Sequence, residues 1–273
     1  MDILERIIAH KKEEVNERQS LYPEKLLRQS IYFPTQTVSL KKYLTREDKW
    51  GIIAEIKRRS PSKGVINPYI SIERTSIGYM QAGASALSIL TDHTFFGGSN
   101  NDLTEARKFN FCPILRKEFI VNPYQVIEAK SIGADAILLI AAAISPEQVA
   151  ELTQIAHELG LEVVLEVHNQ EEFESHWHDE VDIVGVNNRD LKTFEVSIET
   201  SLSMTTLIPD SAVKISESGI SNPSTLLRLR QHGFQGFLIG ESFMKHSRPE
   251  QACAHFIEEL RLLSKDLTAQ RHG

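Results

Sequence analysis

From residue 50 onward, short apolar runs rich in β-branched residues recur along the chain, at 52–56, 84–90, 113–115, 135–140, 162–167, 183–186, 213–215 and 236–239. Their centres stand about 26 residues apart, which leaves room for a strand, a helix and two short loops. The runs are continuously apolar rather than alternating, as expected of strands covered on both faces in a parallel sheet. Helix-period segments fill several gaps, at 71–82, 123–132, 146–159 and 222–231, and Gly83, Gly133, Gly160 and Gly233 follow them. Ser145-Pro146-Glu147 and Ser221-Asn222-Pro223 supply a capping side chain and a proline at helix starts, and glycine provides the stop. Eight strand–helix units in about 210 residues predict an α/β fold, a (β/α)8 TIM barrel. The alternative is a doubly wound open sheet, which usually has fewer strands, and no G-x-G-x-x-G follows the first run.

Residues 1–49 fall outside this rhythm. Segment 3–18 reads as an amphipathic helix with Ile3, Leu4, Ile7, Ile8 and Val15 as its apolar residues, and 21–27 and 40–44 suggest two shorter helices. The expected organisation is a catalytic barrel over 50–273 with an N-terminal helical extension, 1–49, packed on it. A mobile tail is the alternative.

Composition narrows the partners. The chain has 273 residues, 30 Lys+Arg against 37 Asp+Glu and a net charge of −7 at pH 7. That balance argues against a general nucleic-acid binder and leaves room for one local phosphate pocket. Two distant cysteines, Cys112 and Cys253, make no disulfide framework and suit a reducing compartment. The first six residues mix charged and apolar types, unlike a secretory signal, and the longest apolar run, 136–144, is far short of the roughly 18 residues of a membrane span. A cytoplasmic protein with no membrane or nucleic-acid partner is expected, as a monomer or weak homo-oligomer.

The candidate chemistry lies where barrel strands should stay apolar. Side chains two apart on a strand share a face. Glu55 and Lys57 close the first run; Lys117 follows Leu115, Glu166 follows Val164, Asn187 follows Gly185 and Glu217 follows Ile215 with that spacing. Five strands thus carry a polar group near the C-terminal end, where barrel active sites sit. Lys57, Lys117 and Arg189 balance Glu55, Glu166 and Glu217, setting ammonium acids beside carboxylate bases. Ser218-Gly219 and Gly240-Glu241-Ser242 follow the seventh and eighth runs, the frequent phosphate site of this architecture. Phe95-Phe96-Gly97-Gly98 suits an aromatic wall, a hinged lid or plain loop packing. His176-x-His178 lacks a third ligand in register and reads as a solvated helix end, so no metal site is expected.

In order along the chain, these motifs resemble those of the indole-3-glycerol-phosphate synthase family. They are Ala54-Glu55-Ile56-Lys57-Arg58-Arg59-Ser60-Pro61-Ser62, Leu90-Thr91-Asp92 with Phe95-Phe96-Gly97-Gly98-Ser99, Leu115-Arg116-Lys117-Glu118-Phe119, Leu165-Glu166-Val167-His168, Gly185-Val186-Asn187-Asn188-Arg189-Asp190-Leu191, Ser216-Glu217-Ser218-Gly219-Ile220 and Leu238-Ile239-Gly240-Glu241-Ser242. The resemblance spans nearly the whole chain. It implies a carboxy-lyase of tryptophan biosynthesis that converts 1-(2-carboxyphenylamino)-1-deoxyribulose 5-phosphate into indole-3-glycerol phosphate, CO2 and water without a cofactor. By the same resemblance Lys117 is the general acid of ring closure and Glu166 the acid–base group of dehydration. Lys57 meets the substrate carboxylate and is a second candidate acid, Glu55 holds the lysines, and Asn187, Arg189, Glu217 and Ser218 complete the pocket floor. Ser60, Gly219, Gly240 and Glu241 hold the phosphate. The substrate's aromatic ring needs apolar contact, with Phe95, Phe96, Phe119 and Leu191 as candidates. Two rivals fit the same residues: a Schiff-base aldolase using Lys57 or Lys117, and a barrel retained as a non-catalytic binding protein.

Overall fold

The eight apolar runs form eight parallel strands: β1 (Ile52–Ile56), β2 (Ala86–Leu90), β3 (Ile114–Lys117), β4 (Ala136–Ile140), β5 (Glu162–Val167), β6 (Ile183–Asn187), β7 (Val213–Glu217) and β8 (Gly236–Ile239). Each pairs with its sequence neighbours, and β8 pairs with β1 to close the barrel. The computed structural model that carries them describes residues 2–272. β3, β6 and β7 run past the expected ends at 115, 186 and 215, because the hydrogen-bond ladder is a backbone property and continues beneath a polar side chain. Lys117 pairs with Leu90, and Asn187 with Glu217, in register. β2 begins at Ala86 rather than at 84.

Alternation along the strands divides two apolar layers. Ile53, Leu115, Leu138, Val164, Ile215 and Leu238 fill the barrel interior. Their neighbours, including Ala54, Leu139, Leu165, Val184 and Phe237, pack outward against the helices.

Twelve α-helices surround or cap the barrel among the described residues: α1 (Ile3–Leu21), α2 (Glu24–Leu27), α3 (Leu40–Leu44), α4 (Ile72–Ala82), α5 (Asn100–Phe109), α6 (Pro123–Ile132), α7 (Pro146–Glu158), α8 (Gln170–His176), α9 (Glu199–Met204), α10 (Pro223–Gln231), α11 (Glu241–Met244) and α12 (Pro249–His272). Ser145 caps α7 in a reciprocal box with Gln148, and Asn122 and Asn222 cap α6 and α10 ahead of their prolines. Gly83 and Gly133 end α4 and α6 at φ of 110° and 92°, a left-handed turn that costs other residues more. The single helix expected at 21–27 is two. α1 runs on to Leu21 and α2 starts at Glu24 after Pro23, whose missing N–H cannot extend α1.

The first 49 residues meet both ends of the barrel. Leu40 and Leu44 of α3 are buried in the interior cluster beneath Ile53 and Ile215, and Gly236 leaves room for the Leu44 tip. α1 lies at the opposite end, where its Ile3, Leu4 and Ile7 face the cavity described next. No helix among the described residues is long and apolar enough to cross a membrane.

Candidate active site

The C-terminal ends of the strands enclose a cavity of about 410 Å3, a size suited to a small molecule. Glu55, Lys57, Lys117, Glu166, Asn187 and Glu217 all line it. Each belongs to a strand end or the residue just beyond, on the inward face that the two-residue spacing predicts.

Lys117 stands between two carboxylates, with its Nζ 2.7 Å from Glu166 Oε2 and 2.5 Å from Glu217 Oε2. Lys57 Nζ donates to Glu55 Oε1 at 2.5 Å. The expectation that Glu55 holds both lysines is therefore corrected: it pairs with Lys57, and reaches Lys117 only as a more distant charge. Asn187 ties the far side together. Its Nδ2 donates to Glu166 Oε1 at 3.1 Å, while its Oδ1 accepts from Ser218 Oγ at 2.9 Å and Arg189 N at 3.0 Å. Gly185 leaves room beneath this cluster: a Cβ there would stand 2.6 Å from Glu217 Oε1 and push that carboxylate aside.

Burial and charge then sort the protonation states. Burial works against the charge on Lys117, but Glu166, Glu217 and Glu55 outweigh it and hold the ammonium above its ordinary value. Burial would likewise raise Glu166, yet Lys117, His168 and the hydrogen bonds from Lys117 and Asn187 pull it below the usual carboxylate range. Glu217 goes the other way: burial raises it, Lys117 offsets only part, and Glu166 and Glu55 repel its charge. Two carboxylates sharing one ammonium thus separate into a strongly ionised member and a reluctant one.

Ser60, Gly219, Gly240 and Glu241 line the same cavity. Ser218 and Gly219 take successive positive φ values of 66° and 78°, a conformation that is strained for serine and found more often at functional turns. The Glu241 carboxylate is turned to cations, Lys63 Nζ at 3.3 Å and an Arg189 nitrogen at 3.4 Å. Lys63 lines the cavity too and had no sequence signal beyond lying just after Ser60-Pro61-Ser62.

Of the apolar candidates, Phe119 and Leu191 line the cavity and Phe95 and Phe96 do not. The reason is the Asp92 carboxylate, which accepts from Phe95 N at 2.7 Å and Phe96 N at 3.1 Å and curls the loop. Phe95 then packs edge-on against His10 of α1, and Phe96 backs onto Phe119, with centroids 5.7 and 5.8 Å apart. Ile3, Leu4 and Ile7 of α1 take part of that wall.

Sequence reasoning also missed Lys11. It is 1% exposed and pairs with Glu14 at 2.8 Å, Asp92 at 2.9 Å and Glu118 at 3.1 Å. Burial would lower its pKa, but the three carboxylates hold it raised. α1 is thereby pinned to the loops after β2 and β3, next to Lys117. His168 is a second unforeseen neighbour, with Nε2 3.5 Å from Glu166 Oε1. His176 ends α8, its ring nitrogens 3.0 Å from the Glu172 and Ile144 carbonyl oxygens.

A family model described as indole-3-glycerol phosphate synthase matches residues 4–256. The chain is 47% identical over 259 residues to the indole-3-glycerol phosphate synthase of Bacteroides thetaiotaomicron, covering 95% of this chain and 99% of that one. It is 38% identical over 262 residues to the protein of the same description from Bordetella pertussis, covering 94% and 99%. Among solved structures, a mutant tryptophan synthase alpha-subunit from Pyrococcus furiosus aligns with a TM-score of 0.57 at 16% identity, covering 78% of this chain and 98% of that one. A structure described as native KDPGal aligns with a TM-score of 0.57 at 14% identity, covering 85% and 100%. At these identities the structural likeness concerns the barrel alone.

Proposed function

The chain belongs to the indole-3-glycerol phosphate synthase family, and from that membership we propose how its residues divide the chemistry. The protein is a decarboxylating lyase acting on a phosphorylated small molecule. Its substrate closes a ring, loses CO2 and loses water.

Ring closure joins an aromatic carbon to a ketone carbon and places negative charge on the ketone oxygen. Lys117 donates the proton there, and a preorganised ammonium at that point stabilises the transition state. CO2 then leaves the same aromatic carbon, which regains aromaticity without an external electron sink. Loss of water needs a base for the departing hydrogen and an acid for the departing hydroxyl. Glu166, kept ionised by Lys117 and Asn187, takes the proton, and Lys57 gives one to the departing hydroxyl. Lys57 meets the substrate carboxylate and stays beside Glu55. Ser60, Gly219, Gly240 and the Glu241 backbone receive the phosphate, with Lys63 and Arg189 close by as cations. Phe119 and Leu191 meet the aromatic ring, and Asn187, Ser218 and Glu217 fix the floor. Residues 1–49 and the barrel act as one unit, since α1 and α3 pack at its two ends.

The observation that carries this reading is Lys117 Nζ, held 2.7 and 2.5 Å from Glu166 and Glu217 at the cavity floor, an acid in contact with its bases. The test supplies the carboxyphenylamino deoxyribulose phosphate and follows indole fluorescence. The native chain produces the signal and Lys117→Met and Glu166→Gln lose it. Native rates in both variants would overturn the assignment.

A further inference from the structure

The motif that ends β5 contains one residue for which the mechanism has no use. His168 follows Glu166 by two positions and is largely buried. Its Nδ1 lies 3.1 Å from Glu172 Oε2, and the same oxygen accepts from the His168 backbone N–H at 2.8 Å. Glu172 is itself fixed on α8: its Oε1 accepts from Asn169 Nδ2 at 3.0 Å, and its N–H donates to Asn169 Oδ1 at 2.9 Å. The ring is therefore aimed from behind. Its other nitrogen, Nε2, is buried without a hydrogen bond, 3.5 Å from Glu166 Oε1. That oxygen is not the one that meets Lys117, which is Oε2.

A neutral imidazole whose Nδ1–H is given to Glu172 would turn a lone pair toward the Glu166 carboxylate, and the two would repel. An imidazolium turns an N–H there instead. We propose that His168 is a positioning residue for the dehydration, carrying a proton that keeps Glu166 ionised and oriented on the side away from Lys117, with Glu172 fixing the ring. This rests on Glu166 being the base of that step. The imidazolium keeps its proton throughout: its Nε2–H faces the carboxylate when Glu166 is ionised, and still meets an oxygen lone pair of Glu166 when that group has taken the substrate's proton.

The charged groups around the ring favour this state. Glu166 faces it from β5, Glu172 from α8 and Glu217 from β7, all three acidic. Asn187 on β6 is neutral, and Lys117 on β3 is engaged by Glu166 and Glu217. Burial opposes the ring's charge, but the Glu172 hydrogen bond and the carboxylates outweigh it and raise the ring above the ordinary histidine value. The rate of dehydration should therefore fall as pH rises through that raised value, at little change in KM.

The test compares pH profiles of kcat for the native protein, His168→Gln and Glu172→Gln, with NMR titration of 15N-labelled imidazole rings. His168→Gln keeps a neutral donor near Nε2. It should lose the basic limb, shift the acidic limb of Glu166 upward and reduce kcat at neutral pH roughly tenfold, with KM within about twofold. Glu172→Gln should move the basic limb toward lower pH while His168 stays in place, and it carries the test should His168→Gln not fold. In Glu166→Gln the ring should titrate at lower pH than in the native protein. A pH-independent loss of rate with both limbs unmoved would mark a merely structural residue and overturn the proposal. So would a ring whose titration ignores Glu166. A ring coupled to Glu166 in a Glu166→Gln variant that still dehydrates normally would instead overturn the role of Glu166, so the two failures are told apart.

Discussion

Lys117 keeps its charge because two carboxylates reach it and outweigh its burial, and the function follows from that arrangement. Lys117→Met removes the acid while nearly preserving the volume. It is expected to lower kcat by about 10³-fold or more with a small effect on KM; a change confined to KM would rule out the acid role. Glu166→Gln keeps shape and loses proton transfer, so ring closure should proceed and dehydration stall. Single turnover with a carboxylate-labelled substrate should release labelled CO2 faster than indole product forms, and synchronous release at native rates would refute it. Both residues were legible in the sequence because each follows by two positions an apolar residue, Leu115 or Val164, of the interior layer and so shares its face. The state of Glu217 was not legible. It depends on sharing Lys117 with Glu166 across three strands, and on Gly185 opening the space its carboxylate fills.

The strands stood out in the chain because burial on both faces makes them continuously apolar, and the helices at 72–82, 123–132, 146–158 and 223–231 because caps, prolines and glycines mark their ends. The short helix α8 has its capping Asn169 but only one buried residue, Phe173, so no apolar stripe forms to mark it. The aromatic wall was misjudged for a related reason. Where Phe95 and Phe96 go is decided by hydrogen bonds to Asp92 rather than by their own character. α1 holds the sharpest case. A lysine in an amphipathic helix reads as solvent-facing, yet Lys11 is buried against Asp92 and Glu118 from two other loops. Lys11→Met would leave those carboxylates buried and unpaired beneath the helix, a cost of about 3–5 kcal/mol. Urea unfolding should show that loss at neutral pH. A change below about 1 kcal/mol would mean that water or a shifted loop already satisfies the pair.

At the scale of the whole molecule, the N-terminal 49 residues do two separable things. α3 presses Leu40 and Leu44 into the bottom of the barrel, where they meet the interior side chains, while α1 stands over the mouth and supplies Ile3, Leu4 and Ile7 to the cavity. Two truncations should therefore behave differently. A chain that begins at residue 37 keeps α3 and the barrel. Without α1, water reaches Asp92 and Glu118, so the penalty of an unpaired buried charge, which Lys11→Met incurs, largely disappears. What is lost is apolar cavity wall, on the order of 1.5–3 kcal/mol per fully buried side chain. This chain should fold and retain kcat within about tenfold, because Lys117, Glu166 and their partners all lie on the barrel, while KM rises by tenfold or more. A chain that begins at residue 50 loses α3 as well, and opens the interior cluster at Ile53, Leu115 and Ile215 to water. It should be insoluble or lack a cooperative unfolding transition. Equal behaviour of the two truncations would show that the bottom of the barrel needs no plug. Cooperative unfolding of residues 50–273 alone would show that the barrel is complete without its extension.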